Sequence, residues 1–425
     1  MTLSAWTLLA LAVPALLAGE WLHRRFAVLP RFNVPVSVVG GLLIALFVLV
    51  LNTTGLAAVS FAAKVSTPWW TWLVTPEHEW IARPAKNFNL PLLVAFFTCV
   101  GLGAPVRVLR TGGRALLVLL GGATVLAIVQ NAVGVAVAQL LHAPPLLGVV
   151  CGALTLVGGH GTALGFASRL EAAGFAAAAT AGAAAATFGL VAGGLLAGPL
   201  AEWLLRGRMK SSHHMASAPM APASKPAANF FADVRALLGC GRAALGHAFV
   251  IAACIKAGAW ASFALDRAGA PLPAYMGALL VGFALRGAHD AAGAQWLRPE
   301  IIARIAAVLL PLFLAVTLSA LNLADLAAIA GPMLVILTVN TLVSLAFVAA
   351  VIWPLLGRDY EAGVMVAGLV GFGVGSTATA VAAMDAIVRR RGPAPRAFAI
   401  VPPTGGFLID LTNAPVITAF INFLR

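Results

Sequence analysis

What most constrains this chain is where its charges are absent. No Asp, Glu, Lys or Arg lies between Arg31 and Lys64, nor between Arg114 and Arg169. A bilayer span takes about 20 apolar residues, so the second interval holds at least two membrane segments. With 61% hydrophobic and 10% charged residues and a mean hydropathy of +0.98, a water-soluble globular domain is excluded. The expected fold class is an all-α polytopic membrane protein.

The net charge of +13 does not point to nucleic acid. The cations fall in short clusters between apolar spans: Arg24, Arg25 and Arg31; Arg107, Arg110 and Arg114; Arg206, Arg208 and Lys210; Arg389, Arg390 and Arg391. That is the positive-inside pattern, and no basic stripe is interleaved with stacking aromatics. Cys99, Cys151, Cys240 and Cys254 lie in or beside apolar segments without CxxC spacing and read as small buried hydrophobes. The apolar run Met1–Gly19 has neither a basic start nor a small-residue cleavage site, and reads as an uncleaved first span.

Residues 206–235 are polar, basic and rich in Ala, Pro and Ser, the composition of a flexible linker. His213 and His214 within it read as solvated. The linker separates two halves, 1–205 and 236–425, that resemble each other in five places in the same order. "NVPVSVVGGLLIAL" from Asn33 matches "PLPAYMGALLVGFAL" from Pro271, and "AFFTCVGLGA" from Ala95 matches "LFLAVTLSAL" from Leu312. "VQNAVG" from Val129 matches "VNTLVS" from Val339, which sets Gln130 on Asn340. "LTLVGGHGTALGF" from Leu154 matches "AGLVGFGVGSTATAV" from Ala367, and "ATFGLVAGGLLAGP" from Ala186 matches "PTGGFLIDLTNAP" from Pro403. Five weak matches in register indicate an internal duplication.

Orientation decides its kind. Five full spans per half plus one re-entrant hairpin, with the N-terminus outside, leave only Lys64, Arg83, Lys86, Arg169, Arg267 and Arg425 outside, of 27 Lys and Arg. Lys256 then falls within a span. Six full spans per half would put the Arg206 linker and the Arg389 cluster on the opposite side from Arg24. The charges therefore favour odd halves, inverted relative to each other, as in inverted-repeat transporters. About ten spans and two hairpins follow, the hairpins near 146–172 and 362–388, with both termini outside and the linker cytoplasmic. The outer loop "STPWWTWLVTPEHEWIARP" reads either as a helix in the headgroup region or as surface packing.

Glycine costs about 1 kcal/mol relative to alanine inside a helix, yet Gly158-Gly159-His160-Gly161-Thr162 and Gly373-Val374-Gly375-Ser376-Thr377 interrupt apolar runs at matching places. Broken backbone at membrane depth survives only where protein or a cavity satisfies it. In secondary transporters such breaks mark the site: half-helix N-termini face an anion, and freed carbonyls with Thr or Ser hydroxyls can hold sodium. Close packing of small residues is the competing explanation. His160 reads as a substrate contact, a proton relay or a satisfied histidine. Asp410, a carboxylate within a span, is a functional candidate by default, for sodium or a substrate ammonium, with a structural hydrogen bond as the alternative. Asn413 shares its helix face. Lys256 could counter Asp410, approach an anion or snorkel; Gln130, Asn131 and Asn340 could brace helices or line a site. "GFGVGS" lacks the Lys-Ser/Thr of a phosphate loop, and no catalytic constellation is present, so an enzyme is not expected.

At these residues the chain resembles the glutamate:sodium symporter family. "TLVGGHGT" (155–162), "ATFGLVAGG" (186–194), "QNAVG" from Gln130, "GRDYEAGVMVAG" from Gly357 and the run from Gly371 to Ala414 carry the resemblance, which extends over nearly the whole chain and to 2-hydroxycarboxylate transporters more distantly. It implies sodium-driven uptake of L-glutamate across a bacterial inner membrane by alternating access. It further implies two hairpins forming the site, a homodimeric scaffold and no organic cofactor. Ala378 and Ala383 stand where the family commonly has Pro and Asn, and the Trp-rich loop looks inserted. The candidate substrate residues are Gly159, His160, Gly161, Thr162, Gly375, Ser376, Thr377, Thr379 and Asn413. The candidate sodium ligands are Asp410, Asn413, Thr155, Thr187, Gly373 and Thr404. A carrier for another carboxylate, or a sodium/proton exchanger using Asp410, is the alternative.

Overall fold

The computed structural model describes residues 2–27, 29, 34–62, 64–65, 67–76, 86–104, 112–206, 230–268 and 273–424. Among them eight helices are long and apolar enough to cross a membrane: Ala5–Arg25, Val36–Thr53, Gly113–Leu140, Ala178–Leu204, Gly241–Arg267, Pro299–Ser319, Leu326–Leu355 and Pro395–Phe423. The chain is a multi-pass membrane protein. Reaching the expected ten requires two further helices. Leu90–Gly103 has 14 residues, about 21 Å at 1.5 Å per residue. Ala274–Ala291 ends in Arg286, His289 and Asp290, with Arg286 Nε 2.9 Å from Asp290 Oδ1.

The all-α expectation needs one small correction. Thr2–Leu3 pairs in parallel with Ser60–Phe61, and Lys64–Val65 pairs antiparallel with Lys86–Asn87. Three of these two-residue strands belong to the loop after the second span, and Thr2–Leu3 precedes the first. Of the expected linker, residues 207–229 lie outside the described residues, and its end is helical, the start of Phe230–Gly239.

In space the chain divides into two compact units that cut across the halves of the sequence. The first comprises Met1–Pro30, Pro35–Val106 and Ala228–Ala327, the second Arg31–Val34, Arg107–Ala227 and Ala328–Arg425. Each therefore draws on both halves.

In the first unit Val36–Thr53 packs on Ala5–Arg25 and Pro299–Ser319, and Leu90–Gly103 packs on Ala274–Ala291, which in turn packs on Gly241–Arg267. The Trp-rich loop forms a short helix, Pro68–Thr71, and a 3-10 turn, Trp72–Val74. Trp70 stacks on Phe88 and donates its indole N–H to the Phe88 carbonyl at 2.8 Å. Trp6 lies against Trp69, Trp70 and Phe88, above a core of Leu8, Leu16 and Val316. So Trp6, Trp70 and Phe88 pack on the bundle, while Trp69 and Trp72 stay exposed. Residues 77–85 of this loop lie outside the described residues. Lys256, for which the sequence left three roles open, reaches the Trp-rich loop. Its ammonium donates to the carbonyls of Trp72 (3.0 Å) and Thr75 (2.7 Å) and sits 3.9 Å from the centre of the Trp72 ring, so it ties the end of the 3-10 turn to the bundle.

In the second unit Ala178–Leu204 packs on Gly159–Ala172, Tyr360–Val374 and Thr377–Arg391. Gly113–Leu140 packs on Pro145–Val149 and Ile409–Phe423. Gly134 and Gly148 meet backbone to backbone: a β-carbon on Gly134 would lie 2.2 Å from the Gly148 carbonyl oxygen, and one on Gly148 would lie 2.3 Å from that of Gly134. Only glycine permits that approach.

Candidate functional site

Both Gly-rich stretches break their helices, in different ways. In the first, Pro145–Val149 widens into a π-type segment, Val150–Leu154, where Gly152 leaves helical geometry at φ −99°, ψ −143°. The helix ends before Val157 and restarts as Gly159–Ala172, with Gly159 at φ +63°, a conformation costly for any residue with a β-carbon. In the second, Tyr360–Val374 ends at Gly375 and Thr377–Arg391 begins after Ser376. π-type segments concentrate at functional sites. This unit has two more, Val348–Ile352 and Thr404–Leu408.

The backbone groups freed at the first break are taken up by side chains. Asn131 Oδ1 accepts from the Ala153 N–H at 3.0 Å. Asn340 Nδ2 donates to the Cys151 carbonyl at 2.9 Å, and Asn413 Nδ2 to that of Ala153 at 3.1 Å. At the second break Gln130 Nε2 donates to the Gly373 carbonyl and to Ser344 Oγ, both at 2.8 Å. All five of these side chains are fully buried. This accounting is what lets an apolar chain interrupt its helices. It also makes Gln130, Asn131 and Asn340 braces of the broken segments.

The two restarted helices differ at their first turns. Ser376 and Thr379 form a reciprocal capping box: Ser376 Oγ accepts from the Thr379 N–H at 3.3 Å, and Thr379 Oγ1 accepts from the Ser376 N–H at 2.9 Å. Gly159–Ala172 has no side-chain cap, and Gly158, Gly159 and Gly161 are half-buried. Its N-terminus, at the positive end of a 14-residue helix, leaves first-turn N–H groups without intrahelical acceptors. The tips approach each other, since a β-carbon on Gly159 would lie 3.8 Å from the Gly375 carbonyl oxygen. One on Gly406 would lie 3.7 Å from Thr377 Oγ1, which brings the Thr404–Leu408 segment to the second tip.

The remaining candidates fall around these tips. His160 is buried, its Nε2 3.1 Å from Thr187 Oγ1. Thr187 donates its only hydroxyl hydrogen to the Ala183 carbonyl at 2.8 Å. The histidine must then donate from Nε2, which in the neutral ring leaves Nδ1 as an acceptor. Thr155 and Thr404 are fully buried and donate to the carbonyls of Val150 and Ile400, each at 2.7 Å. Thr162 Oγ1 is buried without a hydrogen-bond partner. Gly373 lies inside its helix and not at the tip. Asp410 is half-buried, and among the described residues it has neither a hydrogen bond nor an ion pair; Asn413, one turn on, is wholly enclosed.

Two residues not singled out from the sequence also belong here. A β-carbon on Gly189 would lie 2.4 Å from the Val374 carbonyl oxygen, and one on Gly193 would lie 3.2 Å from Gly375 N. Their four-residue spacing on Ala178–Leu204 was the available signal.

A polytopic bundle with paired helix breaks and the carboxylate of Asp410 inside a membrane-capable helix is the arrangement of an ion-coupled carrier, and known proteins agree. The chain matches the family described as "Sodium/glutamate symporter" over residues 1–76 and 77–393. It is 34% identical over 420 residues to the sodium/glutamate symporter of Escherichia coli (strain K12), covering 97% of this chain and 96% of that protein. It is 34% identical to the protein of the same name from Shigella flexneri with the same coverage, and 31% identical over 427 residues to that of Haemophilus influenzae, covering 100% and 99%. The chain belongs to the sodium/glutamate symporter family, and so is a transporter and not an enzyme.

Proposed function

We propose that this protein carries L-glutamate into the cell with sodium by alternating access, working as a homodimer in a bacterial inner membrane. The observation that carries the reading is the meeting of the two broken tips at Gly159 and Gly375, beside an uncapped helix N-terminus. The substrate's carboxylates would be received by the amides of Gly159, His160 and Gly161 and by Thr162, Ser376 and Thr377, as anions are at helix N-termini. His160 Nδ1 would accept from the substrate's ammonium. Sodium is a hard cation taking oxygen ligands, and Asp410 would supply a charged oxygen donor. The hydroxyls of Thr155, Thr187 and Thr404, the Asn413 Oδ1 atom and the Gly373 carbonyl add neutral ones. Thr379, committed to the capping box, holds the second tip in shape. Each ligand would act by binding one of the two access states more tightly.

The test is uptake of radiolabelled L-glutamate into proteoliposomes with and without an inward sodium gradient, beside unlabelled carboxylates. Accumulation that requires sodium and is chased by glutamate is expected. Accumulation of a different carboxylate moves the substrate assignment toward Ala378 and Ala383. Sodium flux opposed to proton flux with no organic substrate would replace symport by exchange through Asp410.

A further inference from the structure

The duplication aligns Gln130 with Asn340, and the structure gives the two side chains related tasks across the halves. Gln130, on Gly113–Leu140 of the first half, donates to Gly373, two residues before the break of the second half. Asn340, on Leu323–Phe347 of the second half, donates to Cys151, next to the Gly152 kink of the first half. Each amide thus holds the broken segment belonging to the other repeat. We propose that Gln130 and Asn340 are a pair of positioning residues, each setting the register of the opposite half's tip.

The chemistry favours carboxamides for this work. A carbonyl near the end of a helix has no N–H four residues on to receive, and in an apolar interior no water replaces it. The supporting group must be a donor that reaches across to a neighbouring helix, which Gln and Asn provide without charge. Gln130 uses both hydrogens of its NH2, one on Gly373 and one on Ser344 Oγ. Ser344 passes its own hydrogen to the Asn340 carbonyl at 2.6 Å. The two braces are therefore linked through one turn of Leu323–Phe347. The orientation of each amide is fixed by its acceptors: turning either one over would set oxygen against carbonyl oxygen. A residue that only filled space would need none of this directionality, and all three side chains have no exposed surface.

The full-length transporter in nanodiscs tests this by hydrogen exchange, with Gln130→Met and Asn340→Leu as variants that keep bulk and lose the donor. Exchange is expected to quicken about tenfold, the scale of one lost buried hydrogen bond, in the half that does not carry the substitution. Gln130→Met should act on residues 374–379 and Asn340→Leu on residues 151–158. In proteoliposomes the KM for glutamate should rise about tenfold, with kcat per folded transporter within about threefold, as for lost ground-state positioning. This second readout rests on the symport reading. Should wild-type protein show no sodium-driven glutamate uptake, that reading fails and exchange alone decides the positioning. Quickened exchange confined to the substituted helix, or spread evenly over the second unit, overturns the proposal. So does unchanged KM with uptake lowered only in proportion to folded protein. Should Asn340→Leu not fold, Asn340→Ser, a shorter side chain with one hydrogen, supplies the same comparison.

Discussion

The two units place their polar side chains differently, and the difference sets helix-end anchors apart from braces of broken helices. In the first unit two buried histidines serve a helix end. His247 donates from Nδ1 to the Ala243 carbonyl at 2.7 Å and accepts at Nε2 from the Arg298 N–H at 2.9 Å. His289 Nε2 accepts from the neighbouring Leu297 N–H at 3.1 Å. Both amides lead into Pro299–Ser319, and Lys256 closes the Trp72 turn. In the second unit the buried polar groups serve broken helix interiors: Gln130, Asn131, Asn340 and Asn413 all reach the Cys151–Ala153 or Gly373 backbone. The three π-type segments among the described residues also lie in this unit. Groups at helix ends fix an architecture, whereas groups inside a bundle hold irregular backbone where a ligand can use it.

If that division holds, substitutions in the second unit should change ion or substrate affinity, and those in the first only stability. The largest expected effect is at Asp410. Asp410→Asn keeps shape and removes the negative charge, so the sodium concentration for half-maximal uptake should rise on the order of 100-fold, as for loss of a strong metal partner, with the folded protein retained. Half-saturation within twofold of wild type would remove Asp410 from the sodium site. Gly134→Ala comes next. Its methyl would meet the Gly148 carbonyl, and overpacking of this kind costs about 1–3 kcal/mol, read as a lowered melting temperature together with a raised KM. Lys256→Met should cost about 1.5–3 kcal/mol, the range for hydrogen bonds to a charged group, and leave KM for sodium and glutamate unchanged. A shifted KM in Lys256→Met would break the comparison directly, because a helix-end anchor in the first unit would then be tuning the site.

How far these features were legible in the sequence varies with the range of the physics behind them. The spans were legible because a charge-free interval such as Arg114–Arg169 has few alternatives in folding. The breaks were legible because glycines at Gly158–Gly161 and Gly373–Gly375 conflict with the helix around them. The division into units was not, since contacts that join Val36–Thr53 to Pro299–Ser319 leave no local pattern. Gln130 and Asn340 could be noticed as polar residues at matching places, yet their acceptors lie 243 and 189 positions away, which spacing cannot reveal. The contacts of Lys256 were hidden for the same reason: it donates to backbone carbonyls of a turn 184 and 181 residues distant.

The smallest effect asks whether the two tips share the work equally. In the Thr377–Arg391 helix the first-turn N–H of Thr379 is taken by Ser376 Oγ and the N-cap N–H of Ser376 by Thr379 Oγ1, and the Gly159–Ala172 helix has no such cap. An anion gains most from amides that nothing else has claimed, so the first tip should be the stronger anion receptor. Ser376→Ala removes the hydroxyl that accepts from Thr379 and should cost about 1 kcal/mol, a fall in melting temperature of roughly 2–4 °C per kcal/mol for a body of this size. Since Ser376 is half-buried, water can replace part of the lost bond, and KM for glutamate should move less than about twofold. A markedly lower KM would mean that uncapping the second tip had freed amides for the substrate, and the two tips would then be competing receptors with the capping box as the difference between them.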